Sequence, residues 1–204
     1  AYDIRGVVGE NIDADLVECV ARAAVEVLGA TSAAVGFDAR ETSPAFAAAA
    51  ARGVMDAGSD VLSIGMAGTE EMYWAVTEFG ACAGIEVTAS HNPINYNGMK
   101  IVKSGSRPLD DVGDFQAIRA LAGSQAWTEA LREGALRDVA AEARGAYVKQ
   151  VLSFVDVDQL RPLRVRSPTA PRKKRTLKNL RRRNQKRLRR RRRPPRGFEP
   201  SRNQ

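Results

Sequence analysis

The sequence predicts an α/β layer fold. Three observations carry that expectation. Short segments rich in β-branched residues alternate with longer segments of helical period. Most connections between the strands contain a helix, so neighbouring strands run largely parallel. The one connection without a helix, at Pro93, adds a candidate antiparallel strand. At 204 residues the chain has room for one packed domain and a tail.

Taken in order, Asp13 is placed to cap a helix over 14–28. Leu16, Val20, Ala23, Ala24 and Val27 fall near helical spacing, and Gly29 stops it. A short buried strand over 33–37 delivers Asp38-Ala39-Arg40 to a loop. Ser43 as N-cap and Pro44 at the first helical position start an alanine-rich helix that runs to about Ala57. A strand over 60–64 ends at Gly65. Thr69 caps the next helix, with Glu70 and Glu71 in the first turn, where the helix dipole favours acids. That helix reaches about Phe79; Met72, Tyr73, Val76 and Phe79 form its apolar stripe and read as core.

The next strand, 84–88, is broken by Ala89-Ser90-His91-Asn92-Pro93. Pro93 has no backbone donor and biases Asn92 away from helical angles, so the strand must end there. Asn95, Asn97 and Gly98 keep the chain turning, and a second short strand follows over 99–102. Pro108-Leu109-Asp110 leads into a polar helix over about 111–121. Residues 123–137 are less regular, with Trp127 at the core edge. A long helix is expected over 139–160, with Tyr147, Val151, Leu152 and Phe154 on its buried side.

The break at 89–93 gathers a hydroxyl, an imidazole and an amide on one loop at a strand end, with Lys100 just beyond it. Loops held by a rigid sheet are common places for chemistry. T-A-S-H-N-P followed by N-Y-N-G-M-K resembles the active-site serine loop of the α-D-phosphohexomutases, most nearly the bacterial phosphomannomutase and phosphomannomutase/phosphoglucomutase branch. Y-D-I-R-G, starting at Tyr2, is similar to a second motif of that family. The resemblance implies a three-layer first domain with a mixed, mostly parallel sheet between helices, and it sets the sheet order. The serine loop then lies outside a strand's carboxyl end.

By resemblance, Ser90 is a phosphoserine. It gives its phosphoryl group to a hexose phosphate and takes one back from the other end of the sugar after the hexose 1,6-bisphosphate turns round. One phosphoryl oxygen would sit on Mg²⁺, with the remaining ligands expected from a second domain. Lys100 would supply a cation and assist proton transfer, and His91 and Asn92 would orient the phosphoserine. Arg5 would point at it and bind substrate with Lys100; Tyr2 would line the cleft. The residue types suit this chemistry. A phosphoserine brings nearly two negative charges, phosphoryl transfer needs positioning and cations, and a guanidinium grips phosphate bidentately. Other readings stand beside these. Ser90-His91 as a hydrolase pair lacks a third partner. Lys100 alone is a strand-end lysine, and Arg5 alone a surface arginine. Arg40 matches the family's D-x-R, either bracing the cleft loops or making a structural salt bridge.

The formal charge of +8 hides two opposite segments. Residues 164–204 hold 19 Lys and Arg against Glu199, a charge of +18; residues 1–163 hold 13 against 23 acids, a charge of −10. The likeness to the family covers 1–163, its first strand lacking the few residues that usually precede Tyr2. The tail over 164–204 is too polar for a core and is expected to be disordered. It reads either as a basic arm for nucleic acid or as a shifted reading frame, since the change falls inside an expected strand rather than at a linker. A Gly-Asn-Gly turn and an Asp-rich loop in another frame of the gene would decide. The family's Asp-rich metal loop, sugar-selecting loop and terminal phosphate clamp do not follow in these 204 residues. The expectation is that the chain alone does not turn over. The competing expectation is an inert α/β domain with a nucleic-acid arm.

Cys19 and Cys82 are expected inside helices, as small core residues without a disulfide. The Asp156/Asp158 pair is discounted as a metal site because it lies at a helix end where the family has no ligand. No apolar run is long enough to span a bilayer and no secretory signal is visible, so a cytoplasmic setting is expected.

Overall fold

A computed structural model describes residues 3–161. The tail over 164–204, the boundary at 163 and Tyr2 lie outside the described residues.

The strands are β1 (Asp3–Val7), β2 (Ser32–Phe37), β3 (Asp60–Met66), β4 (Ala83–Val87), β5 (Tyr96–Lys103), β6 (Arg107–Pro108) and β7 (Leu136–Asp138). The helices are α1 (Ala14–Val27), α2 (Ser43–Asp56), α3 (Thr69–Glu78), α4 (Asp114–Ser124) and α5 (Ala140–Leu152). The seven strands form one sheet in the order β1-β5-β4-β2-β3-β7, with β6 on β5. β2 pairs in parallel with β3 and β4, and β3 with β7. β5 runs antiparallel to β1, β4 and β6. The mixed sheet between helices is therefore as the sequence predicts: helix-containing connections give the parallel half and the Pro93 turn gives the antiparallel half.

Two apolar layers flank the sheet. On one face α1, α2 and α4 bury Val17, Phe46, Val54 and Ile118 against Val35, Val61, Ile85 and Ile101. On the other, α3 and α5 bury Met72, Val76 and Ala143 against Ala34, Ile64 and Val102. Alternation along each strand sends successive side chains to opposite layers. Gly53 lets α2 lie close on α1, because a Cβ there would collide with the Glu18 carbonyl.

Several expectations are corrected. In α1 Asp13 caps as predicted, accepting from the Leu16 N–H at 2.8 Å, but the inward stripe is one residue out of phase at its start: Leu16 is exposed and Val17 buried. Thr42, not Ser43, is the N-cap of α2, and Gly68, not Thr69, that of α3. The chain past Pro93 becomes a strand at Tyr96 rather than Met99. Gly98 is the reason it can pair so early, because a Cβ there would collide with the Ile4 carbonyl of β1. α4 starts at Asp114, where the Asp110 carboxylate accepts from the N–H groups of Gly113 and Asp114. The stretch read as irregular runs into the three-residue edge strand β7.

The long last helix ends at Leu152. Tyr147 packs on Trp74, ring centroids 5.7 Å apart, but Val151, Leu152 and Phe154 are exposed, because no described element lies over that end of α5. Cys82 sits on the loop before β4 rather than in a helix; both cysteines are free and partly buried. Asp156 and Asp158 make a local turn, the Asp158 N–H donating to the Asp156 carboxylate at 3.1 Å. No described helix is long and apolar enough to cross a membrane.

Candidate active site

β2 and β4 end side by side, and each delivers a loop to the same edge of the sheet. From β4 comes Thr88-Ala89-Ser90-His91-Asn92-Pro93; from β2 comes Asp38-Ala39-Arg40. Strand alternation puts Asp38 and Thr88 on one face, and Thr88 Oγ1 donates to Asp38 Oδ2 at 2.8 Å. The Ser90 N–H in turn donates to Thr88 Oγ1 at 2.8 Å. Ser90 lies in the left-handed region at φ +53°, a conformation that side chains other than glycine seldom take and that surrounding contacts must hold.

Arg40 supplies much of that hold. Its Nη1 donates to the carbonyls of Pro93 and Tyr96 at 2.7 and 3.0 Å, and its Nη2 to those of Ser90 and Asn92 at 3.0 and 2.7 Å. One planar fork so fixes four carbonyls of the serine loop, a task that suits a guanidinium and not an ammonium. The Nε lies 3.3 Å from Asp38 Oδ2. The two sequence readings of Arg40, brace and salt bridge, hold together.

Asp38 is the hub beneath. Its Oδ1 accepts from the Arg40 N–H at 3.0 Å and from Ser43 Oγ at 2.6 Å. Asn97 Nδ2 donates to Ser43 Oγ at 3.0 Å and to Thr42 Oγ1 at 2.8 Å. Ser43 and Asn97 are buried, so the start of α2, the start of β5 and the serine loop share one polar network. The sequence reading missed Asp38, Thr88, Ser43 and Asn97 as site residues. Thr88 and Asn97 stand inside the serine-loop motif, but their partners are 50 and 54 or 55 residues away, a pairing no local pattern reveals.

The candidates fall as follows. Ser90 and His91 are exposed, with Ser90 Oγ 3.3 Å from His91 Nδ1; among the described residues no carboxylate partners His91, so the triad that hydrolase chemistry requires is not assembled. Arg5 on β1 reaches the loop, its Nη1 donating to Asn92 Oδ1 at 2.7 Å. Lys100 lies in β5, in register with Glu86 of β4 and Asp3 of β1, two residues beyond Gly98, whose carbonyl accepts the Thr88 N–H. The strands thus bring Ser90, His91, Asn92 and Arg5 together, and place Lys100 on the ladder beside them.

Burial pushes the Glu86 carboxyl up to about 9, helped by the negative charges of Asp38, Glu71 and Glu70. Among the described residues no group of three His, Cys, Asp or Glu could hold a metal ion, and the Asp38 carboxylate is already taken by Thr88, Ser43 and Arg40. A hard cation takes about six oxygen ligands, so the described residues do not by themselves fit a resident Mg²⁺.

An exposed serine, held in the left-handed region and flanked by arginine, can present a tetrahedral anion to a second molecule. The family model for phosphoglucomutase/phosphomannomutase, alpha/beta/alpha domain I, matches residues 1–126. The chain belongs to that family. It is 44% identical over 168 residues to the phosphomannomutase of Salmonella typhimurium (strain LT2), covering 81% of this chain and 36% of that protein. It is 45% identical over 141 residues to a phosphomannomutase of Klebsiella pneumoniae, covering 68% of this chain and 90% of that protein. A crystal structure of a phosphoglucomutase/phosphomannomutase family protein from Burkholderia thailandensis superposes with TM-score 0.65 at 31% identity, covering 76% of this chain and 35% of that one. The chain thus spans about a third of the length of the Salmonella relative.

Proposed function

We propose that this domain carries the phosphoserine of a phosphohexomutase, moving phosphate between C6 and C1 of mannose or glucose phosphate as an intramolecular phosphotransferase. The observation that carries the reading is Ser90: exposed, left-handed, and fixed through Arg40 and Thr88 in a chain of this family. In the forward step the bond from phosphorus to Ser90 Oγ breaks as one forms to a sugar hydroxyl. Lys100 assists the hydroxyl proton on its way, and Ser90 Oγ takes up a proton. The bisphosphate turns, and its other phosphoryl group returns to Ser90. Arg5, His91 and Asn92 orient the phosphoserine; Arg5 and Lys100 bind the substrate's anionic part, and Tyr2, outside the described residues, is assigned to substrate binding by the family motif alone. In-line placement and fixed cations supply most of the catalysis in such transfers.

Phosphomannomutases generally use Mg²⁺; here its ligand would be a phosphoserine oxygen, with the rest supplied from outside the described residues. The proposed domain runs over 1–163 and the Arg-rich segment over 164–204. A polypeptide of these 204 residues takes up phosphate without completing turnover, and it acts in the cytoplasm on soluble sugar phosphates.

Incubation with glucose 1,6-bisphosphate or mannose 1,6-bisphosphate and Mg²⁺, followed by mass spectrometry, tests this. Phosphate on Ser90 that is absent from Ser90→Ala is the expected result. A folded protein that takes no label but binds RNA with a steep salt dependence would overturn it in favour of the basic-arm reading, for which the +18 charge of residues 164–204 speaks.

A further inference from the structure

Glu86 is the buried group that phosphotransfer leaves unused. It lies within β4 at 0% exposure, and neither carboxyl oxygen has a hydrogen-bond partner. An unsatisfied buried polar group is costly, yet the fold makes room for this one. Gly36, its register partner on β2, is where a Cβ would collide with Glu86 Oε2 and with Ile64. Only a glycine at 36 leaves the carboxyl its seat.

That seat adjoins the hub of the serine loop. Alternation puts Glu86 and Thr88 on one face of β4, with Gly36 and Asp38 on the same face of β2. The Asp38 N–H donates to the Val87 carbonyl, tying the two strand ends together. Charged groups face Glu86 from every neighbouring element. Asp38, with its partner Arg40, comes from the loop after β2. Glu70 and Glu71 come from the first turn of α3, Glu71 accepting from Arg144 of α5. Lys100 stands opposite on β5. Desolvation and the three acids keep the carboxyl protonated at neutral pH.

We propose that Glu86 is a positioning residue for the Ser90 loop, acting through Asp38: as an uncharged acid it lets Asp38 hold Thr88 and Ser43, and its ionisation loosens that hold. A second buried carboxylate beside Asp38 disfavours the Asp38 charge in a medium that screens poorly. Thr88 Oγ1 then loses its acceptor, and the Ser90 N–H loses the oxygen that fixes φ at +53°. The consequence for phosphate transfer rests on Ser90 being the phosphate carrier; the coupling to the loop does not.

NMR of the full chain with ¹³C-labelled glutamate carboxyls tests the coupling. Glu86, assigned by comparison with Glu86→Gln, should titrate near 9, and the Thr88 and Ser90 amides should follow with the same midpoint. In Glu86→Gln, a neutral side chain of the same shape, that step in the amide shifts should vanish. Labelling of Ser90 by the bisphosphate should fall about tenfold from about pH 8 to about pH 10 in the wild type, as the neutral fraction falls, and stay level in Glu86→Gln. Titration of Glu86 near 4.5, or an amide step that persists in Glu86→Gln, overturns the proposal. Amides that follow Glu86 while Ser90 takes no label at any pH uphold the positioning role and sink the transfer reading instead.

Discussion

Asp38, on the loop after β2, and Glu86, within neighbouring β4, differ in nearly everything except their functional group. Asp38 keeps 24% of its side chain exposed, accepts from Thr88 and Ser43, and pairs with Arg40. Glu86 is fully covered and accepts from nothing. A carboxylate surrounded by donors can carry charge and fix geometry, whereas one sealed from water without a donor is more stable neutral. The network around Asp38 therefore sets the shape of the serine loop, and the seat of Glu86 sets how that shape responds to pH.

The largest effect should come from the partnered side. Arg40 is 11% exposed and holds four loop carbonyls besides Asp38. Arg40→Ala should cost about 3 kcal/mol of unfolding free energy, since charged donors are lost and buried acceptors left bare. It should also lower Ser90 labelling about 100-fold, as a small misplacement does at a reacting group. Arg40→Lys should recover less than half of either, because one ammonium cannot span the positions of the fork. Urea denaturation and the labelling assay check this; a variant that unfolds early yet labels normally would show that Arg40 braces the fold and not the loop.

The unpartnered side should show a smaller effect of opposite sign. In the unfolded chain Glu86 releases its proton near 4.5, and in the folded protein near 9. Between those values the folded state binds the extra proton, so stability falls as pH rises; the penalty is absent below the lower value and complete above the higher. Glu86→Gln has nothing to release. Its melting temperature should match the wild type near pH 4.5 and exceed it by about 5 °C at pH 6. Calorimetry at both values checks it, and an equal gap at both would mean that Glu86 is charged in the folded protein.

The same distinction explains what could be read from the sequence. The alternation of helices and strands was legible because apolar period and caps such as Asp13 act over a few residues. The serine loop was legible because its motif is long and contiguous. The hub was not: Ser43 has a helix-capping residue's identity but sits inside α2, bonded to Asp38 and Asn97, and Asn97 has a turn residue's identity but lies in a strand. Propensity ranks what a residue does alone, and tertiary partners override it. Glu86 was passed over for the complementary reason. A lone acid in an alternating strand reads as a solvated face until Gly36 and α3 are seen to cover it.

The smallest effect belongs to the end of α5, where the sequence predicted burial. Phe154 is 75% exposed and Leu152 47%. Burying a phenylalanine contributes about 1.5–3 kcal/mol, in proportion to the area taken from water. A ring that gives up little area has little to lose, whatever its hydrophobicity. Phe154→Ser should therefore change stability by less than about 0.5 kcal/mol in this chain, the range of ordinary surface substitutions. Measured by urea denaturation at low protein concentration, a loss above about 2 kcal/mol would mean that something covers the ring in solution. The apolar side chain would then have a partner after all, and the contrast between partnered and unpartnered groups would have to be redrawn for α5 as it is drawn for Glu86.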